Sequence, residues 1–126
     1  MKCLIGSSLW IEYLAGSKLG ERVNQILKAN NEIFSLPIIV SEVVSKVERN
    51  NSNSEIAYES IIKNAKLFEI TPRVAKEAGI IHASMKKKVK NFPLADAIIV
   101  CAAKALKAKI LTCDAHFKPF SEAEVW

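Results

Sequence analysis

Cysteine is scarce and unpatterned in this chain of 126 residues: Cys3, Cys101 and Cys113 are odd in number and lie in apolar segments. That excludes a disulfide-stapled secreted scaffold, and their spacing matches no structural zinc motif. They read as reduced, buried thiols of a cytoplasmic protein. Glycine and proline number four each, too few for a collagenous or linker-rich chain. No apolar run approaches the ~18 residues a membrane-crossing helix needs, and no charged-then-apolar signal segment opens the chain. Neither G-x-x-x-x-G-K-[ST] nor G-x-G-x-x-G occurs, which removes the two common phosphate-cradling loops.

What is present is a chain half hydrophobic and a quarter charged, the balance of one globular domain over residues 1–126 with a real core. The net charge of +5 fits a polyanionic partner. Part of the excess is local, in Lys86, Lys87, Lys88 and Lys90. That cluster suits RNA contact and equally suits a solvated helix end favoured by the helix dipole.

In chain order, Lys2-Cys3-Leu4-Ile5 reads as a short strand, followed by Gly6-Ser7-Ser8. Ser7 or Ser8 can cap a helix that turns Leu9, Trp10, Tyr13 and Leu14 inward. Ala15-Gly16-Ser17 breaks it, and a second helix runs from Lys18 to Ala29 with Leu19, Val23, Ile26 and Leu27 on one face. Glu32 to Leu36 is the second strand, and Pro37 opens a helix that carries Glu42 near its start. Ser52-x-x-Glu55 is a capping box for a helix reaching Asn64. Leu67 to Ile70 is the third strand, and Thr71-Pro72 starts a helix extending towards Lys88. Pro93 opens a helix whose Leu94, Ile98, Cys101 and Ala105 recur on one face. Lys109 to Cys113 is a buried strand. Lys118 to Trp126 carries no clear pattern.

Strands alternating with helices argue for a parallel α/β sheet covered on both faces. In such sheets the end of a strand and the start of the helix leading into it lie at one edge, where ligands bind. Asp96, in a helix's first turn, and Asp114, just past a strand, therefore share one crevice and suggest a cation site. Each has a plainer explanation. A first-turn aspartate is favoured by the dipole by ~0.3–1 kcal/mol, and Asp114 can cap its own turn. A phospho-acceptor receiver domain, which also places acids at strand ends, fails: Gly6-Ser7-Ser8 stands where its acidic pair belongs, and Thr71-Pro72 where its acceptor does.

Four segments, IGSSLWIEYLAGS, PIIVSEV, PLADAIIVCAAK and ILTCDAHF, together resemble the PIN-domain ribonucleases, especially the VapC toxins of VapBC toxin–antitoxin pairs. The resemblance covers nearly the whole chain. It implies a PIN-like parallel sheet of four to five strands covered by helices, and a metal-dependent endoribonuclease that uses Mg²⁺ or Mn²⁺. Glu42, Asp96 and Asp114 match three of the family's metal-binding acids. Ser8 and Thr112 match supporting polar positions, and His116 falls where the family often has another acid or polar group. His82, in mid-helix, reads as structural. The resemblance further implies an RNA substrate, a homodimer, and a VapB-like antitoxin whose extended C-terminal segment fills the groove beside the acids.

One departure stands out. Where the family has an aspartate ending strand one, this chain has Gly6. Glycine offers no ligand, and it frees a backbone that the family holds with a residue bearing a Cβ. Three acids in place of four imply weaker metal binding and an activity reduced or lost. The second reading is a non-catalytic PIN-like module that binds RNA or an antitoxin. Glu12, one turn past Ser8, occupies a position that is ordinary helix in the family.

Overall fold

A computed structural model describes residues 1–126. Cys3, Leu4 and Ile5 are fully buried in β1 (Lys2–Ile5), as an unbroken apolar run must be when helices cover both faces of its sheet. β2 (Glu32–Ser35), β3 (Lys66–Leu67), β4 (Lys109–Thr112) and β5 (Ala123–Val125) complete one parallel sheet in the order β3-β2-β1-β4-β5. The chain builds outwards from β1 through β2 to β3, then crosses back to β4 and β5. The order therefore reverses between β1 and β4, and their C-terminal ends form the switch point.

Six helices flank the sheet: α1 (Ser7–Ala15), α2 (Lys18–Lys28), α3 (Pro37–Arg49), α4 (Ser54–Asn64), α5 (Pro72–Lys86) and α6 (Leu94–Leu106). Each of the first three crossovers contains two helices, and those two pack on each other. Gly16 ends α1 in the left-handed region at φ 67°, and Ser17 Oγ then accepts Gly20 N–H at 3.0 Å to start α2. A Cβ at Gly20 would fall on the Glu12 carbonyl, so glycine is what lets α2 lie against α1. The main core joins β1, β2 and β4 to α1, α3, α4 and α6. A smaller cluster of Val74, Ala78, Phe92, Ala97 and Cys101 seats α5 on the back of α6.

Several local expectations are corrected. Gly6, not Ser7 or Ser8, is the N-cap of α1, and no side chain caps it. Asn53 caps α4 through Oδ1, which accepts Glu55 and Ile56 N–H; Ser52 lies one residue too early. The third strand is Lys66–Leu67 rather than Leu67–Ile70. An edge strand can ladder only as far as its partner, and β2 stops where the chain turns at Pro37, which has no N–H to offer. The unassigned tail holds β5, whose residues pair with Ile110, Leu111 and Thr112. Leu94 and Ala105 are exposed, while Ala97, Val100 and Cys101 face inward. That shift follows from α6 being pinned between the sheet and α5, so that small residues must occupy both contacts. All three cysteines are free, with Cys3 and Cys101 buried. No helix is long and apolar enough to cross a membrane.

Candidate metal centre

The switch point is held together by backbone and hydroxyl groups before any acid is considered. Gly6 N–H donates to Leu111 O at 2.9 Å, extending the β1–β4 ladder past the strand end. Ser8 Oγ lies 3.2 Å from Thr112 Oγ1 and accepts Cys113 N–H at 3.2 Å. Thr112 Oγ1 in turn accepts Asp114 N–H at 3.0 Å. Ser8 and Thr112 thus fix the turn from which Asp114 projects.

Asp96 enters from the first turn of α6. It is 5% exposed, and its Oδ2 has no hydrogen-bond partner. Burial, reinforced by the negative charges of Asp114 and Glu42, raises its pKa to about 7, against a smaller lowering by His116. Asp114 starts a 3₁₀ turn (Ala115–Phe117), and its Oδ1 accepts His116 N–H at 2.9 Å. The plain turn-capping explanation therefore holds for that one oxygen. His116 Nδ1 stands 3.3 Å from Asp114 Oδ1 and 3.5 Å from Asp96 Oδ2. Donor atoms of Asp96, Asp114 and His116 all lie within 4.8 Å of one another. The His116 ring meets buried Phe92 edge to face, centroids 6.4 Å apart, and Phe92 O lies 3.1 Å from His82 Nε2. His82 is thus structural, as expected, and indirectly steadies His116.

Glu42 comes from α3 and is not part of that tight trio. Its Oε1 is buried without a partner. Burial raises its pKa, the Ser7 hydroxyl lowers it, and the Asp114 charge raises it again. Glu42 therefore feels the charge of Asp114, and Asp96 feels that of Glu42. It also walls an open cleft of about 690 Å³ between α1 and α3. Ser8, Ala95 and Cys113 form the acid-side end of the cleft, and Lys46 and Arg49 add positive charge to its α3 wall. Glu12 lines the cleft without joining the trio.

Gly6 adopts φ −70°, ψ 161°, ordinary extended backbone that any residue can take, so it makes no use of the freedom glycine gives. A Cβ there would meet Thr112 Oγ1 at 3.3 Å and Leu111 O at 3.4 Å. This is tight but open to an adjustment of a few tenths of an ångström. Glycine at this position is a chemical choice, not a conformational need.

The orphaned Oδ2 of Asp96 and the unpartnered Nδ1 of His116, with the Asp114 carboxylate beside them, form a donor set suited to a divalent cation, since buried polar atoms without partners are otherwise costly. Sequence spacing does not show the contact of His116 with Asp96, because it depends on how the 3₁₀ turn meets α6.

A parallel sheet with carboxylates gathered at its switch point defines the class, an α/β fold with an acidic cluster at one sheet edge. The chain belongs to the PIN domain family, which it matches over residues 3–122. No curated protein matches it in sequence. Among solved structures, it is similar to a chain of a toxin–antitoxin complex from Klebsiella pneumoniae, at TM-score 0.75 and 17% identity over 98% of this chain and 96% of that one. It is similar to a chain of VapBC2 from Rickettsia felis bound to a promoter DNA fragment, at 0.76 and 16% over 100% and 99%. VapBC-1 from nontypeable Haemophilus influenzae gives 0.67 and 20% over 100% and 98%.

Proposed function

We propose that this chain is a toxin-type endoribonuclease dependent on Mg²⁺ or Mn²⁺, with activity reduced by Gly6. The observation that carries this is the buried, unpartnered Asp96 carboxylate facing Asp114 and His116 at the switch point. Asp96, Asp114 and Glu42 would hold the ion, which supplies charge against a scissile phosphate and lowers the pKa of a bound water. Thr112 and Ser8 hold Asp114 in position. The Lys46 and Arg49 side of the cleft attracts the RNA backbone, and the loop bearing Lys87, Lys88 and Lys90 adds charge on the side of Phe92.

Three acids do less than four. A residue at position 6 would stand over Thr112, beside Asp114's own anchor, so an aspartate there adds the missing carboxylate. The neighbours of this fold in toxin–antitoxin complexes support a VapB-like antitoxin as partner. We place its extended segment in the α1–α3 cleft, and take a homodimer as the working unit from the resemblance to the VapC toxins alone. The second reading, a non-catalytic module that binds RNA or antitoxin, is favoured by Gly6 itself.

The test is cleavage of a structured RNA in Mg²⁺, Mn²⁺ or EDTA by three chains: the protein as it stands, Gly6→Asp, and Gly6→Asp with Asp96→Asn. Gly6→Asp should cut fastest, EDTA should stop it, and the double variant should be inactive. If none of them cuts under any condition while RNA still binds, the module reading wins. Equal cutting by the unaltered chain and Gly6→Asp would show that the fourth acid is dispensable.

A further inference from the structure

The centre departs from an all-carboxylate site in two ways at once. Position 6 contributes no oxygen, and an imidazole nitrogen stands within 3.5 Å of both Asp96 and Asp114. His116 Nδ1 is buried, has no hydrogen-bond partner, and lies 3.3 Å from Asp114 Oδ1 and 3.5 Å from Asp96 Oδ2. The Asp96 side chain is 7% exposed and points its orphaned Oδ2 at the same spot. Donors bound at ~2.0–2.2 Å around a tetrahedral ion stand roughly 3.3–3.5 Å apart, the spacing of His116 Nδ1 from the Asp96 and Asp114 oxygens; all three donors lie within 4.8 Å of one another. Two features hold the ring in this pose, the Asp114 Oδ1 contact to His116 N–H and the face of Phe92. The His116 side chain is still 37% exposed, so one side of the centre stays open to water or substrate.

We infer that His116 Nδ1 is a metal ligand, and that with Asp96 and Asp114 it makes a mixed nitrogen–oxygen site that takes a late first-row ion such as Zn²⁺ or Co²⁺ in preference to Mg²⁺. This rests on the proposed function's reading that the centre holds a cation, and it revises that reading's ion and ligand set, with His116 in place of Glu42 and a late first-row ion in place of Mg²⁺ or Mn²⁺. Magnesium favours oxygen donors in a near-octahedral shell, whereas imidazole nitrogen suits zinc and its neighbours, and affinity rises along the first row towards them. For Nδ1 to coordinate, the ring proton sits on Nε2.

The test reads metal binding, not RNA cleavage. The full chain is titrated calorimetrically with Zn²⁺, Co²⁺ or Mg²⁺ alone, and the Mn²⁺-loaded chain is examined by pulsed EPR for coupling to ¹⁴N. We expect one Zn²⁺ per chain, bound at least about tenfold tighter than Mg²⁺. We also expect ¹⁴N coupling that vanishes in His116→Asp and survives in His82→Gln, the only other histidine. His116→Asp should shrink the Zn²⁺ over Mg²⁺ preference by about tenfold, and Cys113→Ser should keep it. Absence of ¹⁴N coupling, an unchanged preference in His116→Asp, or loss of Zn²⁺ binding in Cys113→Ser would each overturn the inference. If His116→Asp does not fold, the ¹⁴N signal of the unaltered chain still decides. A chain that binds Zn²⁺ through His116 yet cuts no RNA in any metal would end the ribonuclease reading and leave this one standing.

Discussion

Ser8 Oγ, in the first turn of α1, lies 3.2 Å from Thr112 Oγ1 at the end of β4 and also accepts the backbone N–H of Cys113. One hydroxyl thereby ties together the two strand ends between which the sheet order reverses, and the Asp114 turn hangs from that tie.

Ser8→Ala should therefore cost more than a surface hydroxyl would. It leaves Cys113 N–H and Thr112 Oγ1 short of a partner, a loss of about 1–2 kcal/mol for part-buried groups. Urea unfolding should show a lower midpoint with an unchanged slope. A midpoint equal to that of the unaltered chain would mean water replaces the hydroxyl at no cost.

Gly6→Asp should leave stability within about 1 kcal/mol in the absence of metal. The backbone at position 6 is already extended, and aspartate is a better N-cap than glycine by a few tenths of a kcal/mol. Against that stand the 3.3 Å approach to Thr112 Oγ1 and the charge of the nearby acids. Added Mg²⁺ should raise the melting temperature of this variant more than that of the unaltered chain, through binding to the folded state alone. Equal shifts on thermal denaturation would show that the new carboxylate does not reach the ion.

Asp96 predicts the pH dependence of stability. Its carboxyl is raised from 3.8 to about 7 in the folded chain, so between those values the folded state binds more protons than the unfolded one. Its contribution is fully present below about pH 4 and is lost as pH climbs through about 7. Glu42, also raised, acts in the same direction. Asp96→Asn removes the charge without removing the shape. At pH 8 without metal it should be more stable than the unaltered chain by on the order of 2–4 kcal/mol, and near pH 4 the difference should be small. Denaturant titrations at both pH values check this, and a divalent ion should reverse the order at pH 8. A pH-independent difference would place the cause in packing instead.

Lys87, Lys88 and Lys90 are exposed on a loop whose end is fixed by His82 at Phe92 O and by Phe92 against His116. Replacing Lys87 and Lys88 by Gln should weaken single-stranded RNA binding with little change in melting temperature. The slope of log affinity against log salt should fall by about 0.7 for each phosphate contact removed. An unaltered slope in filter-binding titrations would return these lysines to the role of a solvated helix end.

The strands, helices and acids were legible because their signals are local. A continuous apolar run such as Cys3–Ile5, a proline before an apolar helix as at Pro37, and an aspartate in a first turn each act within a few residues. The strand-end rule then places Gly6, Asp96 and Asp114 at one edge with no coordinates. β5 escaped notice because three residues on a sheet edge, only partly buried, leave no periodicity. The register of α6 was misread because two partners compete for its surface, and a helix buried on both sides does not show one apolar stripe. The caps at Gly6 and Asn53 were each off by one residue from a serine that looked suitable.

By itself the sequence determined a parallel α/β domain with acids at strand ends and helix starts, since these follow from side-chain chemistry and short-range periodicity; that Gly6 stands where an acid is expected came from the family resemblance alone. Only the tertiary structure decided what those groups do to one another. It showed that Gly6 has an ordinary backbone, that Asp96 is buried with an oxygen unanswered, and that the His116 imidazole closes on both aspartates. The physical reason is range: burial, charge coupling and donor spacing depend on distances between elements far apart in the chain, and those are set by packing.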